Sequence, residues 1–304
     1  MMPIFDEIIS NQHFFAVSKN VMCTYSDSIK NSIFAQNNIT MKYSSQIAVF
    51  LLSLFIVSCG PSVEDKARTK LEFSRLLLVN QDTTGALIHL DSISILYPKA
   101  VYSVNAAKNL INEIRFDIFQ RKELELDSLL IKIAELERPF EKEKTEFDRY
   151  TQYIHKRQTF QRAWNRSYIQ VHLDERGELY ISSNYFGKDW LDHVRMRVYD
   201  QGDDARTEII PLTSASNHRS DFLDLRWEKV SYRNGTDNGV IEFIAENAHR
   251  QLKAVFLGKE NYYILLESYD KQAVVEALAL SNAIKKRSTL EAEIRDIKGK
   301  LGIF

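Results

Sequence analysis

The chain has 304 residues, 44% of them hydrophobic and 27% charged, which is ordinary for a folded protein with room for one large domain or two moderate ones. Forty basic residues stand against forty-one acidic ones, so the surplus of Lys and Arg that nucleic-acid binding needs is missing, and nucleic acid is not expected as a partner. Only Cys23 and Cys59 are available, too few for a disulfide framework or a cysteine-rich metal site.

The first organised feature begins at Met41-Lys42, with one positive charge. The run 47–57 that follows is apolar, broken only by Ser53. Eleven helical residues cover about 16 Å at the helical rise, half of a bilayer core, so this run is too short to span one. Ile56-Val57-Ser58-Cys59 then sets an aliphatic and a small residue before a cysteine, and Gly60 follows.

Charged start, apolar run and this tetrapeptide, in that order, resemble the signal peptide and lipobox of Gram-negative bacterial lipoproteins. The resemblance covers residues 41–60. It implies a signal peptide at 41–58, cleavage before Cys59, and acylation of Cys59 with palmitate-type chains, each buried methylene adding about 0.8 kcal/mol to anchoring. Residues 1–40 are then expected to be a leader from a start codon assigned too early, and residues 59–66 a polar tether. Gly60 in place of the retention residue Asp implies the outer membrane, with the periplasmic and the surface face both open. The partner so implied is a membrane, reached through the anchor.

Residues 67–160 read as helical. Asp82-Thr83-Thr84 supplies a cap before Ala86, Leu90 and Ile93, which recur at three and four, and Tyr97-Pro98 stops that helix. Ala86, Leu90 and Pro98 resemble the second helix of one tetratricopeptide repeat. Lys70 and Ser74 stand where its first helix carries Trp and Gly, and a helical hairpin is expected. From Val101 a long helix follows. Phe119, Leu126, Ile133, Phe140, Phe147 and Ile154 fall seven apart, with Leu129, Leu136 and Tyr150 three further on, the spacing of a coiled-coil seam. At Pro139 the segment is either two helices, the second starting there at its first position, or one bent rod; the heptad frame survives the break, which favours a bend. Leu290, Ile294, Ile297 and Leu301 repeat four, three, four within a C-terminal helix at 270–301. That helix packs on the seam, or the seam joins a second copy or another envelope protein.

Between the helices, residues 167–268 change to period two. Strands are expected at 167–173, 178–186, 193–200, 207–212, 221–232, 239–246, 252–257 and 262–268, with turns at Asp174-Glu175-Arg176-Gly177, Asp200-Gln201-Gly202-Asp203-Asp204, Asn234-Gly235 and Asn238-Gly239. The expected fold class is α+β: a helical hairpin and long coiled-coil-like helices flanking an antiparallel sandwich or barrel-like domain.

Chemistry-bearing patterns are sparse. His89, His155, His172, His193, His218 and His249 form no metal-binding pair, and His172 reads as a sheet-face residue. Asp200, Asp203 and Asp204 lack the spacing and terminal Glu of a calcium loop. No nucleophile elbow or phosphate loop is present. No catalytic residue, metal or cofactor is therefore assigned. The 183–193 loop carries the one ligand-like constellation: Tyr185, Phe186 and Trp190 bring aromatic area, and Asp189 and His193 bring polar groups. Such rings stack on sugars; they also close the ends of β cores. The expected function is a lipid-anchored, non-enzymatic envelope interaction or scaffold module with a helical stalk and a β head. The alternative is a glycan- or peptide-binding lipoprotein using the 185–190 loop, and a hydrolase is the third reading.

Overall fold

The computed structural model describes residues 61–146, 148–159 and 165–303; the signal-like segment, Cys59 and Phe147 lie outside these. Helix α1 (Val63–Val79) opens on a capping box, in which the Asp65 N–H donates to the Ser62 hydroxyl and the Ser62 N–H to the Asp65 carboxylate. Helix α2 (Thr83–Leu96) is capped by Asp82, which accepts from the Gly85 N–H at 2.8 Å. Helix α3 (Val101–Leu136) has no cap from its own Ala100. The Glu64 carboxylate of α1 takes that role, accepting from the Ser103 N–H at 2.8 Å and hydroxyl at 2.5 Å. Ala67, Leu71, Leu90, Ile93, Ala107 and Ile111 form the core of this three-helix unit.

The long helix ends at Leu136, where one bent rod to residue 160 was expected. Pro139 disfavours helix in the residue before it and lacks the N–H that a continuing helix needs. Beyond it the heptad positions Phe140 and Ile154 belong to strands β1 (Phe140–Glu143) and β2 (Gln152–His155), an antiparallel pair. The helical region thus stops at 136, and the β region starts near 140 rather than 167. Three heptad positions, Phe119, Leu126 and Ile133, remain on α3.

These strands begin a six-stranded antiparallel sheet with β3 (Tyr168–Asp174), β4 (Leu179–Gly187), β7 (Asn217–Phe222) and β8 (Leu225–Tyr232), in the order β1-β2-β3-β4-β8-β7. A four-stranded antiparallel sheet joins β5 (Arg195–Tyr199), β6 (Asp204–Arg206), β9 (Lys253–Leu257) and β10 (Asn261–Leu265), in the order β10-β9-β5-β6. The fold class is α+β. Both sheets are open, so no barrel closes. Three expected strands differ. Residues 239–246 hold helix α4 (Val240–Glu246), because Val240, Ile241 and Ile244 bury one helical face and a short apolar run fits either period. Gly239, at φ 79°, supplies the left-handed residue that starts it. Residues 207–212 run irregularly beside β5, since Pro211 cannot donate to a ladder. Residues 221–232 contain the β7–β8 turn.

Helix α5 (Ser268–Leu301) returns antiparallel along α3. Lys122 meets Glu293 at 2.5 Å and Lys286 meets Glu125 at 2.7 Å; such exposed pairs add little. Apolar burial holds the seam: Leu129 and Ile133 share one core with Ala283, Ile284 and Leu290. Earlier in α5, Ala273, Val274, Ala277 and Leu280 join Ile169, Val171 and Leu173 of β3 in the same core. Its remainder lies between the sheets, where Ile181, Tyr185, Val230 and Tyr232 meet Met196, Val198, Ala254 and Phe256.

Candidate functional site

Strand alternation divides the expected ligand loop between two faces. Tyr185 points between the sheets, donates from its hydroxyl to the Asp189 carbonyl at 3.1 Å and meets Tyr262 edge-on at 5.0 Å. Phe186 points to the outer face, 5.0 Å from Trp227. Trp190 is half-buried with the Arg219 and Arg226 guanidiniums over its ring. Asp189 is exposed, and His193 is wholly buried. The five residues therefore do not converge on one surface.

His193 instead sits in a polar chain that crosses the core. Glu228 accepts from the Asp192 N–H at 2.8 Å, the His193 N–H at 3.0 Å and His193 Nδ1 at 2.7 Å. His193 Nε2 lies 2.9 Å from Ser183 Oγ, which lies 3.2 Å from the Tyr232 hydroxyl. Burial alone would raise the Glu228 carboxyl; the His193 ring and the two backbone N–H groups outweigh it and hold it below the usual carboxylate range. The Phe256 ring stacks on the imidazole at 5.2 Å. Gly258 lies so near this segment that a Cβ there would strike the Leu191 carbonyl oxygen.

Serine, histidine and carboxylate stand here in the relation used by nucleophilic hydrolases. Ser183, His193 and Tyr232 are 0% exposed, however, and Glu228 is 1% exposed. Ser183 Oγ is closed to an acyl substrate in this conformation, and the four side chains form a buried hydrogen-bond network. Sequence reasoning missed Ser183 and Glu228. A signal was there for Ser183, which lies between Ile181 and Tyr185 on the inward face of its strand; Glu228 has Val230 on one side but Arg226 on the other, which hides it.

The outer face of the six-stranded sheet carries a different arrangement. His172 on β3 stacks parallel to Tyr180 on β4, with ring centres 4.4 Å apart. Arg233 lies 4.0 Å from the centre of the same Tyr180 ring and donates to its hydroxyl at 2.6 Å. Arg176 lies 3.8 Å from the centre of the Tyr150 ring and pairs with Asp174, whose oxygens also accept from the Arg176 and Glu178 N–H groups. A groove of about 500 Å³ runs over these residues, and a smaller one of about 120 Å³ lies over Tyr168, Asn184 and Trp227. Lys229 lines both.

Burial, together with the charges of Lys229 and Arg233, holds His172 well below the usual histidine range, so its ring is neutral at pH 7. Burial, with Arg233 added, also lowers the Lys229 ammonium. Among the described residues no carboxylate pairs with Lys229. Arg149, Arg176, Lys229 and Arg233 line the larger groove against Asp148, Asp174 and Glu178, and Asp174 is already saturated by its neighbours. Lys229 is half-buried; a partly desolvated charge without a counter-charge costs some free energy, and an incoming anion would relieve that cost.

Elsewhere, Asp200 and Asp203 pair with Arg250, and Asp204 with Arg197 and Arg206. Among the described residues no cluster of three His, Cys, Asp or Glu fit for a metal ion is present, and no helix is long and apolar enough to cross a membrane. No family model, curated protein or solved structure matches this chain.

Proposed function

We propose that the chain is an exported envelope lipoprotein, cleaved before Cys59, acylated there and held at the outer membrane, where its β unit is a non-enzymatic binding module. The anchor reading is supported by the order of charge, apolar run and lipobox over residues 41–60. Helix α3, about 54 Å long at the helical rise, would serve as the stalk. The non-enzymatic reading is supported by the burial of Ser183 and His193 away from any substrate.

The observation that carries the binding role is Lys229, a half-buried ammonium that lines two grooves on a sheet face and has no carboxylate partner among the described residues. Its ligand is a glycan or peptide bearing a carboxylate or phosphate, which would take the place of the missing counter-charge. The interaction surface thereby moves from the α3 seam, which α5 already covers, to this outer face. A binding screen of the full chain against uronate-containing oligosaccharides, acidic peptides and their neutral counterparts tests the reading. Retention of acidic members alone, weakening with added salt, is expected; equal retention of neutral members would overturn it.

A further inference from the structure

Three helix ends meet at one end of the helical unit. Glu64 in the first turn of α1 caps Ser103 in the first turn of α3. The 97–100 link, closed by an Ala100 N–H bond to the Tyr97 carbonyl at 3.0 Å, keeps the end of α2 beside the start of α3. At this end Val63, Ile95, Leu96, Val101 and Tyr102 are 48, 78, 57, 66 and 75% exposed. Single exposed apolar residues are common on any surface; here five large ones stand on the terminal turns of three helices that end together. Lys99 stands exposed among them. The two carboxylates of this end are tied to helix caps, Glu64 at Ser103 and Asp65 at Ser62.

We propose that this apolar end is a membrane-contact surface, seated among the headgroups of the bilayer that holds the lipid anchor. The inference rests on acylation of Cys59. Cys59 is three residues ahead of Ser62, and three extended residues reach about 11 Å at most. An acyl group at Cys59 therefore brings this end of the helical unit to the lipid. Val79, at the opposite end of α1, is about 24 Å further along the helix axis. The side chains suit such a place: an amphipathic tyrosine ring favours the interface, and a lysine stem can lie along apolar surface with its ammonium at the phosphates. A second attachment beside the covalent one fixes the attitude of the helices, which a single point of attachment would not.

Spin labels at Leu96→Cys, Tyr102→Cys and Val79→Cys, each in the full exported chain reconstituted into phospholipid vesicles, test this contact. With Cys23 removed in the leader and the Cys59 thiol blocked by its thioether, each variant offers a single reactive thiol. The labels at 96 and 102 are expected to lose collisions with a water-soluble nickel chelate and to gain collisions with oxygen, while the label at 79 remains open to nickel. Equal nickel access at all three sites, with acyl chains present by intact mass, would overturn the membrane contact and leave the anchor standing. Protection at 96 and 102 that persists without vesicles in sedimenting dimers would assign the surface to a second copy and also overturn it. An intact mass without acyl chains would remove the anchor and the contact together.

Discussion

Glu228→Ala is expected to destabilise the fold by about 3–5 kcal/mol, the cost of breaking a buried hydrogen-bonded charge network. The carboxylate accepts three hydrogen bonds, from the Asp192 and His193 N–H groups and from His193 Nδ1. Alanine leaves three donors unmet, two of them buried on His193 and one half-buried on Asp192, and an unmet buried donor costs about 1–3 kcal/mol. Thermal melting and urea denaturation of variant and wild type read the loss directly. Glu228→Gln keeps the shape and an acceptor oxygen, so its loss is smaller. The pH dependence has a definite sign. The folded-state pKa of Glu228 lies below its unfolded value, so its contribution is complete above the unfolded carboxylate pKa of about 4.3 and is lost as pH falls through the folded value. In Glu228→Gln that part of acid unfolding disappears. The same burial makes a chemical prediction. A fluorophosphonate, which labels accessible serine nucleophiles, is expected to leave Ser183 unmodified in the native protein. Stoichiometric labelling there would restore the hydrolase reading.

The second large effect belongs to the seam. Ile133 is 4% exposed within the core that α3 shares with α5, and Ile133→Ala is expected to cost about 2–5 kcal/mol through lost burial and the cavity left behind. Because its partners lie on the same chain, the denaturation midpoint of wild type and variant is expected to be independent of protein concentration. A seam between two copies would instead move the midpoint upward with concentration, by mass action. Guanidinium titrations at two protein concentrations a hundredfold apart separate these outcomes.

Local chemistry made the helical hairpin, the β3–β4 pair and the β9–β10 pair legible in the sequence. Asp82 caps, Tyr97-Pro98 stops, and Gly177 adopts φ 83° in the tight turn. The heptad misled because its period is blind to a chain reversal. Phe140 is buried as the register demanded, yet on a strand, since Pro139 outweighs the pattern wherever a sheet edge offers an alternative home for the same apolar side chains. Residues 239–246 were ambiguous for a related reason: eight residues are too few for periods of 2 and 3.6 to separate.

The candidate site was legible only in part. The 183–193 stretch does contain both Ser183 and His193, but Glu228 arrives from β8, 35 residues later, through strand order alone. The outer-face groove was hidden for the same reason. His172, Tyr180, Lys229 and Arg233 are unremarkable singly, and only the β3-β4-β8 adjacency stacks them. His172 was expected to be a sheet-face residue, and it lies on the outer face of that sheet.

The most direct measurement compares Lys229→Gln and Trp190→Ala for binding to whichever acidic oligosaccharide or peptide the full chain retains, with melting temperatures taken on the same preparations. Lys229→Gln is expected to abolish retention at a melting temperature no lower than that of wild type, because it removes an uncompensated charge, and Trp190→Ala to preserve retention. Retention that survives in Lys229→Gln and vanishes in Trp190→Ala would return the contact to the 185–190 loop and contradict a binding face on the outer sheet.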